Sequence, residues 1–362
     1  MEGEIDPVQH EQHYEFLSNR IENAKQSYLE IFNRDFGVSG EDLETERQHM
    51  EKTLQENVKH RQAKLMNRLY FYLKRKFDKK VATMTREKRA LYLSKQDANA
   101  GAWLTCSLVD KANRMKDSEW HTAFTFRFNQ PVHQFFRKNR HASLMCDCKP
   151  PRGNDGPPPC LDARGVHALI CKKGGKVQSR HNWVDNTLER MSNAAGILTT
   201  SEPRFNQLLN PANGKRLIGD HRTISGEQVM DTTITNPLCP SMLAKSAVES
   251  GYAAQLAVKA KRVKYKDQID LGIKLQVIAI ETPGKMAEET VLYVKRLASK
   301  IAARVDMDYA VVKRRWMEKI SVMLQRGNAH IIAHRMDKAI QRKYGYKNNG
   351  EYTDLYRLTE QK

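Results

Sequence analysis

Val229-Met-Asp-Thr-Thr-Ile-Thr235 is a run of β-branched residues, and Leu271-Gly-Ile-Lys-Leu-Gln-Val-Ile-Ala-Ile280 is an apolar run of similar length. Both patterns are typical of strands. The stretch between them, Ser241–Tyr265, has helical spacing and ends with basic residues. Strand, helix and strand in this order predict an α/β fold for this half of the chain.

Further helices are predicted on both sides of this unit. Residues 181–195 place Trp183, Val184, Leu188 and Met191 on one helical face. After the second strand, three more helical segments are expected at about 285–304, 309–325 and 329–344. The sheet is therefore expected to be flanked by helices.

Two aspartates mark a candidate metal site on this sheet. Asp220 lies where a turn enters a strand, and Asp231 lies inside the strand that follows. Carboxylates on adjacent strands can share Mg²⁺ or Mn²⁺, and a lysine such as Lys261 or Lys264 can offset developing charge. Taken by itself, Asp220 is more typical of an ordinary turn residue. Asp231 is unusual, because aspartate is disfavoured in the middle of a strand.

A second candidate site is a compact group of cysteines and histidines. Cys146, Cys148, His167 and Cys171 can form a closed tetrahedral Zn²⁺ site, which would stabilise a segment that lacks its own core. Cys160, at the end of a Pro-rich insertion, could replace Cys146 or Cys148. A set of reduced, buried thiols is the alternative interpretation. Directly after the group, Arg180 and His181 are candidate phosphate contacts, and His181 could also be a further zinc ligand.

Charge indicates the class of partner. The chain has 362 residues and a formal net charge of +19, which favours binding to DNA or RNA. Residues 1–56 are acidic and residues 59–89 are strongly basic. The basic stretch is expected to form a helix that either lies along a nucleic-acid backbone or presents a solvated face. Its candidate contacts are Lys59, Arg61, Lys64, Arg68, Lys74, Arg75 and Lys76.

The polar, acidic N-terminus is not expected to act as a signal peptide, and no apolar run is long enough to span a membrane. We therefore expect an intracellular protein that acts in the nucleus and does not bind membranes.

Several short motifs, taken in order, resemble a known family. They are Gly101-Ala-Trp-Leu-Thr105, Cys146-Asp-Cys148, Asp162-Ala-Arg-Gly-Val-His-Ala-Leu-Ile-Cys-Lys172, Arg180-His-Asn182 and Lys261-Arg-Val-Lys-Tyr265. Together they resemble the C-terminal region of LINE-type (non-LTR) retrotransposon proteins. In that family a CCHC zinc knuckle precedes a restriction-like endonuclease of the PD-(D/E)xK type, whose lysine has moved to the following helix.

The resemblance implies a role for each matching residue. Asp220 and Asp231 would hold Mg²⁺ or Mn²⁺, Lys261 would be the shifted lysine, and Lys264 would be a neighbour able to substitute for it. Structural Zn²⁺ would be held by Cys146, Cys148, His167 and Cys171. Gly219 stands where the family motif has proline. The implied activity is hydrolysis of DNA, and the alternative is a protein of the same fold that binds nucleic acid without cutting it.

The resemblance also implies a domain organisation. The expected regions are a helical thumb-like or linker-like region (1–100), a connector with the zinc knuckle (101–182), the nuclease domain (183–305) and a C-terminal helical extension (306–362). The chain has no Tyr-x-Asp-Asp polymerase motif. It is therefore expected to be a detached C-terminal part of such an element, with a separate reverse transcriptase as a partner.

Overall fold

The structure is a computed structural model that describes residues 7–55, 58–133, 135–136, 143–148, 159–201, 204–209, 216–225 and 228–345. The chain is mixed α/β and divides into two compact units, Met1–Met84 and Thr85–Lys362. The boundary thus follows Met84 instead of residue 100. The three regions expected after residue 100 belong to one unit.

The first unit contains three helices, α1 (Pro7–Phe36), α2 (Glu41–Gln55) and α3 (Val58–Ala82). Phe32 and Met50 are buried in its core, and Leu69 and Tyr72 of α3 pack against them. The apolar face of α3 is therefore only half-buried within the unit, and Leu73, on the same predicted face, is exposed.

The second unit begins with α4 (Arg86–Lys95), two short 3-10 helices (Ala98–Leu104 and Lys111–Asn113) and α5 (Asp117–Arg127). The Cys/His segment follows, with the hairpin β1 (Leu144–Met145) and β2 (Cys160–Leu161) and the short helix α6 (Val166–Ile170). Helix α7 (Lys176–Ala194) comes next and begins five residues before the predicted start.

The remaining strands form two sheets. The strands are β3 (Thr199–Ser201), β4 (Arg204–Leu209), β5 (Arg216–Ile218), β6 (His221–Thr223), β7 (Gln228–Thr235) and β8 (Lys274–Glu281). One sheet has the order β3-β6-β7-β8, and β4 pairs with β5 in the other. Strands β7 and β8 are parallel, with Asp231 opposite Val277, and the other pairs are antiparallel. Both predicted strands are confirmed, and the larger sheet is mixed.

The connection between β7 and β8 differs from the predicted single helix. It contains α8 (Pro240–Ser246), α9 (Tyr252–Lys264) and α10 (Lys266–Asp270). Gly251 has a φ of +80° and stands directly before α9. This left-handed conformation interrupts a helix and is favourable for glycine, so residues 241–265 form two helices.

The C-terminal helices also differ from the prediction. Helix α11 (Glu288–Val305) matches the first predicted segment, but the second and third form one helix of 36 residues, α12 (Tyr309–Tyr344). Gly327 and Asn328 lie inside α12, where a Cβ on Gly327 would come within 2.5 Å of the Cγ of Arg180. The glycine therefore serves close packing, not a break between helices.

Helix α12 lies at the centre of the second unit. Its first half packs with α7, the sheet and α11 through Ile320 and Leu324. Its second half packs against the Cys/His segment through Ile332 and Met336. The predicted C-terminal extension is thus a core helix as far as Gly345, and the residues after it lie outside the described part.

Candidate functional site

The four predicted zinc ligands meet in one place, which we call the Cys/His cluster: Cys146, Cys148, His167 and Cys171. One ligand atom from each lies within 4.8 Å of the others. The Sγ atoms of Cys146 and Cys171 are 3.7 Å apart, and the Sγ of Cys148 is 3.4 Å from the Nε2 of His167. Such a set of soft ligands could hold a metal ion such as zinc.

Cys160, the alternative ligand, lies outside this cluster. It is exposed, and its Sγ is 3.3 Å from the Oγ of Ser143. Residues 149–158, most of the Pro-rich insertion, lie outside the described part of the chain. Cys148 is therefore the residue that completes the set.

Two aspartates fix the geometry around the Cys/His cluster. Asp162 accepts hydrogen bonds from the backbone N–H groups of Val166 (3.1 Å) and His167 (2.9 Å), which anchors the start of α6. Asp147 forms ion pairs with Lys173 (3.1 Å) and Arg335 (3.3 Å). These contacts hold the ligand-bearing loops in place before any metal binds.

The pKa values of Cys148 and Cys171 shift in opposite directions. Burial, followed by the neighbouring Cys146, raises the pKa of Cys148 to about 12. Burial also opposes ionisation of Cys171, but the nearby Arg335 guanidinium outweighs it and lowers the pKa of that thiol. Cys171 is therefore the thiol of this pair that ionises more readily.

The predicted catalytic residues also meet, in a cavity of about 450 Å³ that we call the carboxylate cleft. Its lining includes Asp220, Asp231, Lys261 and Lys264. Asp231 is buried on β7. The Nζ of Lys261 lies 2.5 Å from its Oδ1, and the Nζ of Lys264 lies 3.6 Å from its Oδ2. Helix α9, which packs on β8, thus directs both lysines at one carboxylate.

Tyr265, which follows Lys264, also belongs to this group. Its ring is buried, its hydroxyl accepts a hydrogen bond from the Lys264 Nζ (3.1 Å), and the same ammonium lies 4.5 Å from the ring centre. Burial and then the nearby Asp231 carboxylate raise the pKa of Tyr265 above its ordinary value. Burial lowers the pKa of Lys264, although Asp231 opposes this. The three named residues of the Lys-x-x-Lys-Tyr motif therefore surround Asp231.

Asp220 has different partners. Its Oδ2 accepts a hydrogen bond from the backbone N–H of Thr232 (2.5 Å), and its Oδ1 lies 3.2 Å from the Nε2 of His181. Burial would raise the pKa of Asp220, but His181 and Lys261 outweigh it, so the pKa is lowered. Burial likewise opposes the charge on His181, but Asp220 raises the pKa of this imidazole.

Sequence reasoning missed the residues behind Asp220. The Oδ1 of Asp185 accepts a hydrogen bond from the Thr232 hydroxyl (2.8 Å), and its Oδ2 lies 2.6 Å from the Nε2 of His221. One ligand atom each from His181, Asp185 and Asp220 lie within 4.8 Å of one another. A signal was present, because His181 and Asp185 are four residues apart on a predicted helix and so share a face.

The burial of Arg180 contradicts one prediction. It was expected to contact phosphate on the surface, but it is only 2% exposed and packs against Gly327. Its Nη1 donates a hydrogen bond to the Oδ1 of Asn328 (2.8 Å), and burial lowers its pKa to about 10. It forms no ion pair with a carboxylate of the described residues. Arg180 is therefore a buried cation in the wall of the carboxylate cleft.

The basic helix of the first unit is less available than predicted. Arg68 forms an ion pair with buried Glu46, at 2.5 Å, so it has a structural role. Lys76 is exposed but donates a hydrogen bond to the backbone oxygen of Asp35. Three of the other predicted contacts are exposed: Lys64, Lys74 and Arg75. The side chains of Lys59 and Arg61 lie outside the described part.

No protein-family model matches this chain, and no curated protein sequence matches it. Among the described residues, no helix has the length and apolar character that crossing a bilayer requires.

Proposed function

We propose that the second unit is a metal-dependent DNA endonuclease with a restriction-endonuclease-like fold, of the kind found in LINE-type retrotransposon proteins. One observation carries the proposal: Asp220, Asp231, Lys261 and Lys264, which are distributed over more than 40 residues of sequence, line a single cleft. The mixed sheet, with Asp231 on β7 and Asp220 directly before β6, is consistent with this fold.

The charge of the cleft supports a phosphodiester substrate. Four cations line it, two from α9 together with Lys172 and Arg180, and two carboxylates oppose them. Arg180 adds to this positive charge from within the wall, where it is only 2% exposed. A phosphate group of DNA in the cleft would offset the excess of positive charge.

The reaction is hydrolysis. A water oxygen forms a bond to phosphorus, the bond from phosphorus to one sugar oxygen breaks, and that oxygen leaves with a proton. A divalent metal held by the carboxylates would activate the water and neutralise charge on the phosphate. Lys261 forms an ion pair with the buried Asp231 at 2.5 Å and would place a positive charge beside the reacting phosphate. Lys264 can take over part of this role.

The Cys/His cluster would hold structural Zn²⁺. Its four ligands leave no open coordination position for substrate, which fits a structural site. In this function zinc stabilises the segment that leads into α7, the helix that carries Arg180 and His181.

A second candidate function is binding of nucleic acid without cleavage, because Asp231 is already paired with Lys261 at 2.5 Å. If the lysine never releases this carboxylate, the cleft binds nucleic acid without cutting it. The exposed cations of α3 would serve either function.

The deciding experiment incubates supercoiled plasmid and purified protein with Mg²⁺ or Mn²⁺. The wild type is expected to nick or linearise the plasmid, while Asp220→Asn and Asp231→Asn bind DNA without cutting it. Asp267→Asn, which changes an exposed aspartate beyond α9, is the matched control and should cut normally. Intact DNA binding with no cutting by the wild type would support the non-catalytic alternative.

A further inference from the structure

We propose that His181, Asp185 and Asp220 form a binding site for one divalent transition-metal ion, for which Mn²⁺ is the practical probe. This deepens the proposed function, because it replaces the expected Asp220–Asp231 pair with a site that contains an imidazole and selects the class of metal.

The first argument is the geometry of the ligands. His181 and Asp185 lie four residues apart on α7, so both side chains lie on one face of the helix. Asp220, directly before β6, brings its Oδ1 to 3.2 Å from the Nε2 of His181. Ligand atoms from all three residues lie within 4.8 Å of one another. Two separate elements thus deliver one nitrogen and two carboxylates to one point.

The second argument is the layer of contacts that orients these ligands. Thr232 holds both carboxylates at once: its backbone N–H donates to Asp220 (2.5 Å) and its hydroxyl donates to Asp185 (2.8 Å). The Nε2 of His221 lies 2.6 Å from the other oxygen of Asp185. Carboxylates that ligate metals are commonly held by such hydrogen bonds, which fix their orientation. A chance group of surface acids would lack this support.

The third argument concerns Asp231. Its oxygens face Lys261 at 2.5 Å and Lys264 at 3.6 Å, so lysines already supply its countercharge. Asp220 and Asp185 instead face imidazoles, those of His181 at 3.2 Å and His221 at 2.6 Å, and neither forms an ion pair with a lysine of the described residues. The two predicted carboxylates therefore differ in role: Asp220 ligates the metal, and Asp231 positions the lysines.

The ligand set also indicates which metal binds. Mg²⁺ prefers oxygen ligands and retains several waters, whereas imidazole nitrogen is a good ligand for first-row transition metals. One imidazole with two carboxylates therefore favours Mn²⁺ over Mg²⁺. Replacing the imidazole should weaken Mn²⁺ binding far more than Mg²⁺ binding.

The test measures Mn²⁺ binding by electron paramagnetic resonance, with zinc-loaded full-length protein and without DNA. We expect one Mn²⁺ per chain, with the dissociation constant raised about tenfold or more in His181→Gln and in Asp185→Asn. Thr232→Val, which keeps the backbone hydrogen bond but removes the hydroxyl, should weaken binding by about tenfold. His334→Gln, which changes a half-buried histidine of α12, is the matched control and should bind normally.

A spectroscopic measurement on the wild type makes the test independent of how well the variants fold. Electron spin-echo modulation of bound Mn²⁺ should show coupling to a nitrogen of directly coordinated imidazole. Absence of that coupling, or unchanged Mn²⁺ affinity in folded His181→Gln, would overturn the proposal. Mn²⁺ binding as expected without plasmid cleavage would contradict only the nuclease. Cleavage that requires Asp231 but not His181 would contradict only this metal site.

Discussion

The Cys/His cluster and the carboxylate cleft are built on different physical principles, although each gathers residues that are far apart in sequence. The cluster places four ligands together, two of them on buried cysteines, and aspartates hold its loops by hydrogen bonds and ion pairs. The cleft is an open cavity of about 450 Å³ in which carboxylates face lysines and one histidine, His181. A closed ligand set suits a structural metal, while an open site with opposing charges suits chemistry on a phosphate.

Among these substitutions, we expect the largest loss of stability from one that removes a ligand of the Cys/His cluster. Cys171→Ser removes one of four ligands, so we expect loss of zinc and a fall in the free energy of unfolding of several kcal/mol, on the order seen when structural zinc is lost. Zinc per chain is measured by mass spectrometry and stability by thermal unfolding. Cys160→Ser is the control, and it should keep both zinc and stability because its thiol lies outside the cluster. Full zinc content in Cys171→Ser would show that the cluster is not the zinc site.

The second largest effect is expected from a substitution in the carboxylate cleft, where the cleavage rate should fall. Lys261→Met removes the ammonium that lies 2.5 Å from Asp231, and we expect the cleavage rate to fall by at least about a hundredfold. Zinc content should not change, since the two sites are independent. Lys259→Met alters an exposed lysine of the same helix and should cut at the wild-type rate. Equal loss in both variants would mean that general basicity of α9, and not the contact with Asp231, determines the rate.

The two sites also differ in the partners of a buried arginine that lies at each of them. Arg335, beside the Cys/His cluster, is 3.3 Å from the partly exposed carboxylate of Asp147, whereas Arg180 forms no ion pair with a described carboxylate. Arg335→Met should therefore lower the free energy of unfolding by about 1–3 kcal/mol. Arg180→Met removes a buried charge but also leaves the Oδ1 of buried Asn328 without its donor, so the two effects should offset and the free energy of unfolding should change by less than about 1 kcal/mol, while DNA binding weakens roughly tenfold.

Urea unfolding and DNA-binding titrations on the two arginine variants separate these outcomes. If Arg180→Met unfolds more easily and still binds DNA normally, Arg180 contributes to packing and not to the binding of phosphate.

The smallest effect is a dependence of stability on pH. Burial alone would lower the pKa of His221, but Asp185 and then Glu189 outweigh it and raise the pKa above its ordinary value. The folded state thus holds this proton more tightly than the unfolded state. Its contribution to stability is complete below the unfolded pKa of about 6.5 and is lost as the pH rises through the folded pKa.

The measurement compares urea unfolding of the wild type and His221→Gln between pH 5.5 and 9. The variant should lose less stability than the wild type over this range. Identical slopes would mean that the ion pair between His221 and Asp185 does not form in solution.

Local patterns predicted much of this arrangement. The strands β7 and β8 follow from β-branched and apolar runs, and the four cluster ligands follow from residue type and proximity in sequence. Asp231 is a candidate from sequence because aspartate is disfavoured in the middle of a strand, and such conflicts between residue type and local structure concentrate at functional sites.

Tertiary packing decided the features that local patterns missed. Gly327 and Asn328 resemble a helix break, but α12 continues because Arg180 fills the space that the glycine leaves. Arg180 is buried because it fills this space beside Gly327, although an arginine is normally expected at the surface. His221 and Asp185 are 36 residues apart, and only the pairing of β6 with β7 and the packing of α7 bring them together.

The most direct test of the central claim is the single-turnover cleavage rate of duplex DNA with protein in excess and Mn²⁺ present, measured for the wild type and for Asp231→Asn. DNA binding is measured on the same preparations. We predict cleavage by the wild type and a rate at least about a hundredfold lower in the variant, with equal binding. Equal rates would place the chemistry outside the carboxylate cleft, and binding without cleavage by either protein would contradict the nuclease.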